Sequence, residues 1–169
     1  MTDRDPALKK KGPCQARTGD SRGAAVLFVN PNAMDCQPLE EIFRESGWKG
    51  LIKAGCTPTN CVSLASALSE LRNGQFAIVL WNDALSGGTW RDGLEQISRL
   101  PDPPLFIVTS RLADERLWVE ALNLGAYDVL AQPFDAMEVR RVLILAWEHW
   151  RDRHGLHRGR TLQRMTAAS

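Results

Sequence analysis

Five short apolar runs recur along the chain at intervals wide enough to hold a helix between them: Ala25 to Val29, Gly50 to Ala54, Ala77 to Trp81, Leu105 to Thr109 and Val129 to Ala131. Their β-branched content and turn-rich flanks predict strands. Between them the hydrophobic period changes to that of a helix. Leu39, Ile42 and Phe43, set among Glu40, Glu41, Arg44 and Glu45, form a first amphipathic helix with a glycine stop at Gly47. Leu64, Ala65, Ala67, Leu68 and Leu71 form a second, ending at Asn73 and Gly74. A third runs from Trp90 through Leu94 and Ile97 to Leu100, ahead of Pro101; a fourth spans Ala113 to Leu124, opened near Asp114 and closed by Gly125. The fifth and longest begins after Asp135, whose spacing to Glu138 is that of a capping box.

Strands that read as near-continuous apolar runs are buried on both faces, and helices alternating with them supply right-handed crossovers. The expected fold is therefore α/β: a flavodoxin-like, doubly wound, five-stranded parallel sheet of order 2-1-3-4-5. In such a sheet the functional crevice lies beyond the carboxyl ends of the strands. Here that means Asn30 to Asn32, Asn82 and Asp83, Thr109 and Ser110, and Gln132. The length of 169 residues, 44% of them hydrophobic, suits one core. Residues 1–22 show no apolar period and are read as a disordered basic leader, 23–150 as the single domain, and 151–169 as a flexible basic C-terminal tail.

Charge sharpens this division. A net charge of +1 conceals six basic and three acidic side chains in the leader, ten and sixteen in the domain, and five and one in the tail. The ends suit weak, non-specific attraction to polyanions, but without interleaved aromatics or a recognisable motif nucleic-acid binding is not expected. No run approaches the ~18 apolar residues of a membrane span, and no signal-peptide core is present, so the expectation is a soluble, cytoplasmic protein with no membrane partner. The four cysteines are read as free thiols, and the spacing of Cys56 and Cys61 does not suit a metal knuckle. His149, His154 and His157 lie far along the chain from Ser86 and Ser110, so no hydrolytic triad is assembled from them.

At the strand ends the sequence resembles the receiver domain of bacterial two-component response regulators, from about Ala25 to Trp147. Val26-Leu27-Phe28-Val29-Asn30-Pro31-Asn32 stands where the family has a strand ending in an acidic pair. Ala77-Ile78-Val79-Leu80-Trp81-Asn82 stands where a strand ends in the phosphoacceptor aspartate. Asp92-Gly93-Leu94-Glu95 resembles the family's opening of helix three, and Leu105 to Ser110 its fourth strand with a switch hydroxyl at Thr109. The most specific match is Gly125-Ala126-Tyr127-Asp128-Val129-Leu130-Ala131-Gln132-Pro133-Phe134, similar to the family's glycine-alanine to lysine-proline-phenylalanine segment.

The resemblance implies phosphoryl chemistry, and the residues present remove most of what that chemistry needs. Magnesium selects anionic oxygen ligands, and phosphoryl transfer needs cations around the developing charge. Asn30, Pro31 and Asn32 offer no carboxylate; Asn82 has no anionic nucleophile; Gln132 brings no positive charge; only Thr109 keeps its chemistry. The expectation is a degenerate pseudo-receiver, non-enzymatic, with no cofactor and no Mg2+, acting by contact with a protein partner such as a histidine kinase. Two alternatives stay open: phosphorylation at Asp83, which directly follows Asn82, and a small-molecule sensor built on the neutral crevice. Helices four and five, with Trp118, Trp147 and Trp150, are the expected interaction and homodimer surface. Only about nineteen residues follow Trp150, too few for a helix-turn-helix output module, so the domain is expected to stand alone.

Overall fold

The computed structural model describes residues 25–32, 36–45 and 59–166, with side-chain surroundings defined as far as Gly155. Within them β1 (Ala25–Val29), β2 (Thr59–Cys61), β3 (Phe76–Asn82), β4 (Leu105–Ser110) and β5 (Asp128–Ala131) form one parallel sheet of order β2-β1-β3-β4-β5. Helices α1 (Gln37–Glu45), α2 (Leu64–Asn73), α3 (Trp90–Ser98), α4 (Glu115–Leu124) and α5 (Ala136–Thr166) alternate with the strands. This is the doubly wound order that the alternating apolar pattern predicts.

The two-residue period of the strands sorts their side chains into two layers. Ile78 and Leu80 of β3 join Phe28, Ile107 and Leu130 under Leu39 and Ile42 of α1 and Val139, Val142, Leu143 and Ala146 of α5. Val79 and Trp81 join Leu27, Val29, Phe106 and Val108 under α2, α3 and α4. All seven residues of β3 are buried, as a central strand covered on both faces requires.

One contact explains the glycine near the start of α3. A Cβ at Gly93 would lie 2.7 Å from the Trp81 ring, so the missing side chain lets the helix close on the fully buried indole. Thr89 caps the same helix reciprocally with Asp92. Asp114 caps α4, whose end is closed by Gly125 at φ 102, a left-handed conformation that favours glycine. Asp135 accepts from the Glu138 amide at the start of α5.

Three boundaries differ from the sequence reading. The expected strand Gly50 to Ala54 lies outside the described residues, and the strand paired with β1 is Thr59–Cys61, a short, polar edge segment in register Leu27 to Thr59. The third helix ends at Ser98 instead of Leu100. Residues 151–166, expected as flexible tail, continue α5 without a break, giving a helix of 31 residues. The run of arginines there has good helix propensity, and the packed first half of α5 removes the cost of nucleation.

Candidate functional site

Backbone hydrogen bonds set the strand ends beside one another. The Asn30 amide donates to the Cys61 carbonyl at 2.8 Å, the Asp83 amide to the Thr109 carbonyl at 3.0 Å, and the Gln132 amide to the Ser110 carbonyl at 2.8 Å. Asn82 and Thr109 are register partners across β3 and β4. The crevice residues named from the sequence, from Asn30 to Gln132, thus stand at neighbouring strand ends.

What they build is a closed chain of neutral amides. Asn82 Nδ2 donates to Asn30 Oδ1 at 3.1 Å and to Gln132 Oε1 at 3.4 Å, while Asn82 Oδ1 accepts from the Ala84 amide at 2.9 Å. Asn30 Nδ2 in turn donates to the Asn32 carbonyl at 2.9 Å. Both protons of the Asn82 amide are used, and its oxygen is engaged. Asn30 is fully buried and Asn82 nearly so, a placement that uncharged, hydrogen-bonded groups tolerate and unpaired charges do not.

Pro31 and Asn32 are exposed at the mouth, and Asn32 contributes its backbone carbonyl to the network. Thr109 is brought to the crevice, but its hydroxyl is fully buried without a hydrogen-bond partner. The Gln132–Pro133 peptide is cis, and Phe134 packs edge-on against Phe28 at 6.2 Å, anchoring the loop that carries Gln132.

Asp83 takes a different direction from Asn82. Its carboxylate accepts from Ser110 Oγ at 2.6 Å, and Ser110 Oγ accepts from the Leu112 amide at 3.0 Å. Ser110, read from the sequence only as a strand-end residue, therefore holds the Asp83 carboxylate beside the crevice. Among the described residues no three His, Cys, Asp or Glu side chains cluster as metal ligands would. The donors at Asn30, Asn82 and Gln132 are amide oxygens already engaged with N–H groups, a poor fit for a divalent hard cation.

The tryptophans named as an interaction surface part company. Trp118 on α4 is about half exposed (48%), with its indole N–H donated to Asp128. Trp150 is buried, and Trp147 is half-buried against the same core layer, their rings stacked at 5.5 Å. These two belong to the packing of α5, because the helix turns that edge toward the layer it shares with α1. A further contact was not legible in the sequence. His154 stacks on Trp150 at 3.9 Å and bridges the Trp150 carbonyl to the Asp102 carboxylate, tying the α5 extension to the loop after α3.

No protein-family model matches the chain, and no curated protein matches it. Solved structures do. The signal receiver domain of a putative Luxo repressor protein from Vibrio parahaemolyticus superposes with a TM-score of 0.68 at 14% identity, covering 79% of this chain and 96% of that one. The signal receiver domain of an HD domain-containing protein from Pseudomonas fluorescens Pf-5 gives 0.62 at 21%, covering 76% and 98%. The beryllofluoride-activated NtrC4 receiver domain dimer gives 0.62 at 21%, covering 77% and 99%.

The chain has the receiver-domain fold. Within that fold the strand-end crevice carries neutral side chains at positions 30, 82 and 132, and the receiver-like segment accounts for about three quarters of the chain. No described helix is long and apolar enough to cross a membrane.

Proposed function

We propose that this protein is a receiver-like module of two-component signalling that works by protein contact, without aspartyl phosphorylation, Mg2+ or a catalytic step of its own. The observation that supports this reading is the Asn82 amide, which bridges Asn30 and Gln132 through both of its protons. Phosphoryl switching depends on a charged crevice that reorganises when a dianion arrives. Here the side chains at 30, 82 and 132 are uncharged amides hydrogen-bonded to one another beside the unpaired Thr109 hydroxyl, and none of them is a carboxylate that could attack a phosphoryl donor. In the same reading the protein is cytoplasmic, its partner is a signalling protein such as a histidine kinase, and copies of the chain self-associate through α4 and α5. Exposed apolar side chains at Trp118, Val119, Leu124 and Leu145 support such contacts.

The deciding experiment is incubation with acetyl phosphate and Mg2+, read by intact mass, alongside beryllofluoride and Mg2+ read by amide NMR shifts. The expected result is no adduct and no shift at the strand ends. An adduct present in the wild type and in Asn82→Ala but lost in Asp83→Ala overturns the reading and makes Asp83 the acceptor.

A further inference from the structure

Trp150 and His154 lie four residues apart on α5, on the same face of the helix. Trp150 is buried in the layer shared with α1, and the His154 ring lies over it, with centroids 3.9 Å apart and planes 25° from parallel. The imidazole is only a quarter exposed, and both of its nitrogens are engaged. Nδ1 lies 2.7 Å from the Trp150 carbonyl oxygen. Nε2 lies 2.8 Å from each carboxylate oxygen of Asp102, which stands on the loop between α3 and β4.

These partners decide which form of the ring fits. A carbonyl and an ionised carboxylate only accept hydrogen bonds, so each ring nitrogen has to donate. The neutral imidazole has a single N–H, and whichever nitrogen carries it, the lone pair of the other points at an oxygen. Only the imidazolium, with two N–H groups, satisfies both contacts. The indole face beneath the ring attracts a cation as well. Hydrogen bonding and ring stacking are separate contacts, and both favour the charged form.

The other charges nearby are compensated or turned away. On α5, Arg151 and Arg158 stand about one turn before and after His154 and oppose a positive ring, but Arg151 is exposed and paired with Asp152. Arg153, the preceding residue, projects about 100° away around the helix. On the loop side Arg99 is paired with Glu95. The other helix of this layer, α1, ends in Arg44 and Glu45, whose opposite charges offset each other. Asp102 is the charge in direct contact with the ring.

The contact sits where α5 begins its extension. The helix runs on from Trp150 to Thr166 through Gly155 and Gly159, both poor helix formers. The His154–Asp102 bond ties the start of that stretch to an element 52 positions away in the chain.

We propose that His154 and Asp102 form a pH-operated clasp: the imidazolium holds the start of the α5 extension on the loop between α3 and β4, and the neutral ring releases it. The proposal is independent of the chemistry of the crevice. Histidine changes its charge between about pH 5 and 8, so the clasp is closed at the acid end of that range and open at the alkaline end.

Amide hydrogen exchange of the full chain tests it, read for residues 156–164 at pH 5.5 and pH 8.5 and referred at each pH to the rate of an unstructured peptide, with the β3 amides as internal reference. Protection of the wild type is expected to fall about fivefold at the higher pH, the size of one partly exposed charge-assisted hydrogen bond. Asp102→Asn is expected to show the same protection at both pH values, because an asparagine amide can donate to Nε2 or accept from it and so serves either form of the ring. His154→Phe, which keeps a ring over Trp150 but has no nitrogen, is expected to show low protection at both. A wild type equally protected at the two pH values overturns the proposal. So does a fall of wild-type size in Asp102→Asn or His154→Phe, which would place the titrating group elsewhere.

Discussion

The carboxylate of Asp83 accepts a 2.6 Å hydrogen bond from Ser110 Oγ, while the side chain of Asn82, one residue earlier, reaches across the crevice to Asn30 and Gln132. Adjacent residues at a strand end point to opposite sides, so the Asp83 carboxylate is committed elsewhere. Ser110→Ala removes the one hydroxyl bonded to it and leaves the Leu112 amide without its acceptor. The expected cost is about 1–2 kcal/mol in urea unfolding, with no gain of reactivity toward acetyl phosphate. A stable variant that acquires an adduct would show that Ser110 was masking a competent Asp83.

Restoring an acid at position 82 is not expected to restore a receiver. In Asn82→Asp one carboxylate oxygen keeps the Ala84 amide as its donor, while the other, in place of Nδ2, would face Asn30 Oδ1 and Gln132 Oε1, which are acceptors as well. Turning the Asn30 amide around would relieve one conflict and break its bond to the Asn32 carbonyl. The variant should lose about 1–3 kcal/mol of stability and bind Mg2+ no better than the wild type by isothermal titration. Equal stability together with Mg2+ binding would contradict the closed amide network.

Gly93→Ala sets two effects against each other. Alanine in a helix interior gains up to about 1 kcal/mol over glycine. Its Cβ would also lie 2.7 Å from the fully buried Trp81 ring, an overpacking that costs about 1–3 kcal/mol. The clash should win, giving a lower midpoint in chemical denaturation and an altered Trp81 fluorescence. An unchanged or raised midpoint would mean that α3 can move outward freely.

The two tryptophan substitutions that look alike in sequence should behave differently. Trp150→Ala empties a buried, ring-stacked position and should destabilise by about 3–5 kcal/mol. Trp118→Ala, at a half-exposed site, should change stability by under about 1 kcal/mol. Thermal melts of the two variants separate them, and similar losses in both would argue that α4 is packed more tightly than its exposure indicates.

Acid sensitivity should depend in part on the cap of α3. The Thr89 backbone amide donates to Asp92, the hydroxyl of Thr89 adds a second bond, and together they hold the Asp92 carboxyl below its ordinary value of 3.8. A folded-state pKa that is depressed contributes stability above the unfolded pKa and loses it as pH falls through the folded value. Stability measured from pH 6 down to pH 2 should therefore fall less steeply in Asp92→Asn than in the wild type. Parallel curves would remove Asp92 from the acid response.

By itself the sequence determined the elements that rest on local chemistry. Apolar runs such as Ala77 to Trp81 and Leu105 to Thr109 specify buried strands, Asp114 and Gly125 bracket α4, and neutral residues at 30, 82 and 132 already say that the crevice lacks charge. Sheet order followed because alternating strands and helices of these lengths have few ways to wind. Other features depended on contacts far apart in the chain. Thr59–Cys61 is a strand because Leu27 to Val29 of β1 lies beside it, and nothing in its own polar residues signals that. Whether Asn82 meets Asn30 and Gln132, Asp83 turns to Ser110, or Trp150 faces the core was settled only when the sheet brought residues far apart in the chain, 27 positions for Asp83 and Ser110 and 52 for Asn82 and Asn30, within hydrogen-bonding or packing distance. Local propensity acts over a few residues, and those choices are made across the whole fold.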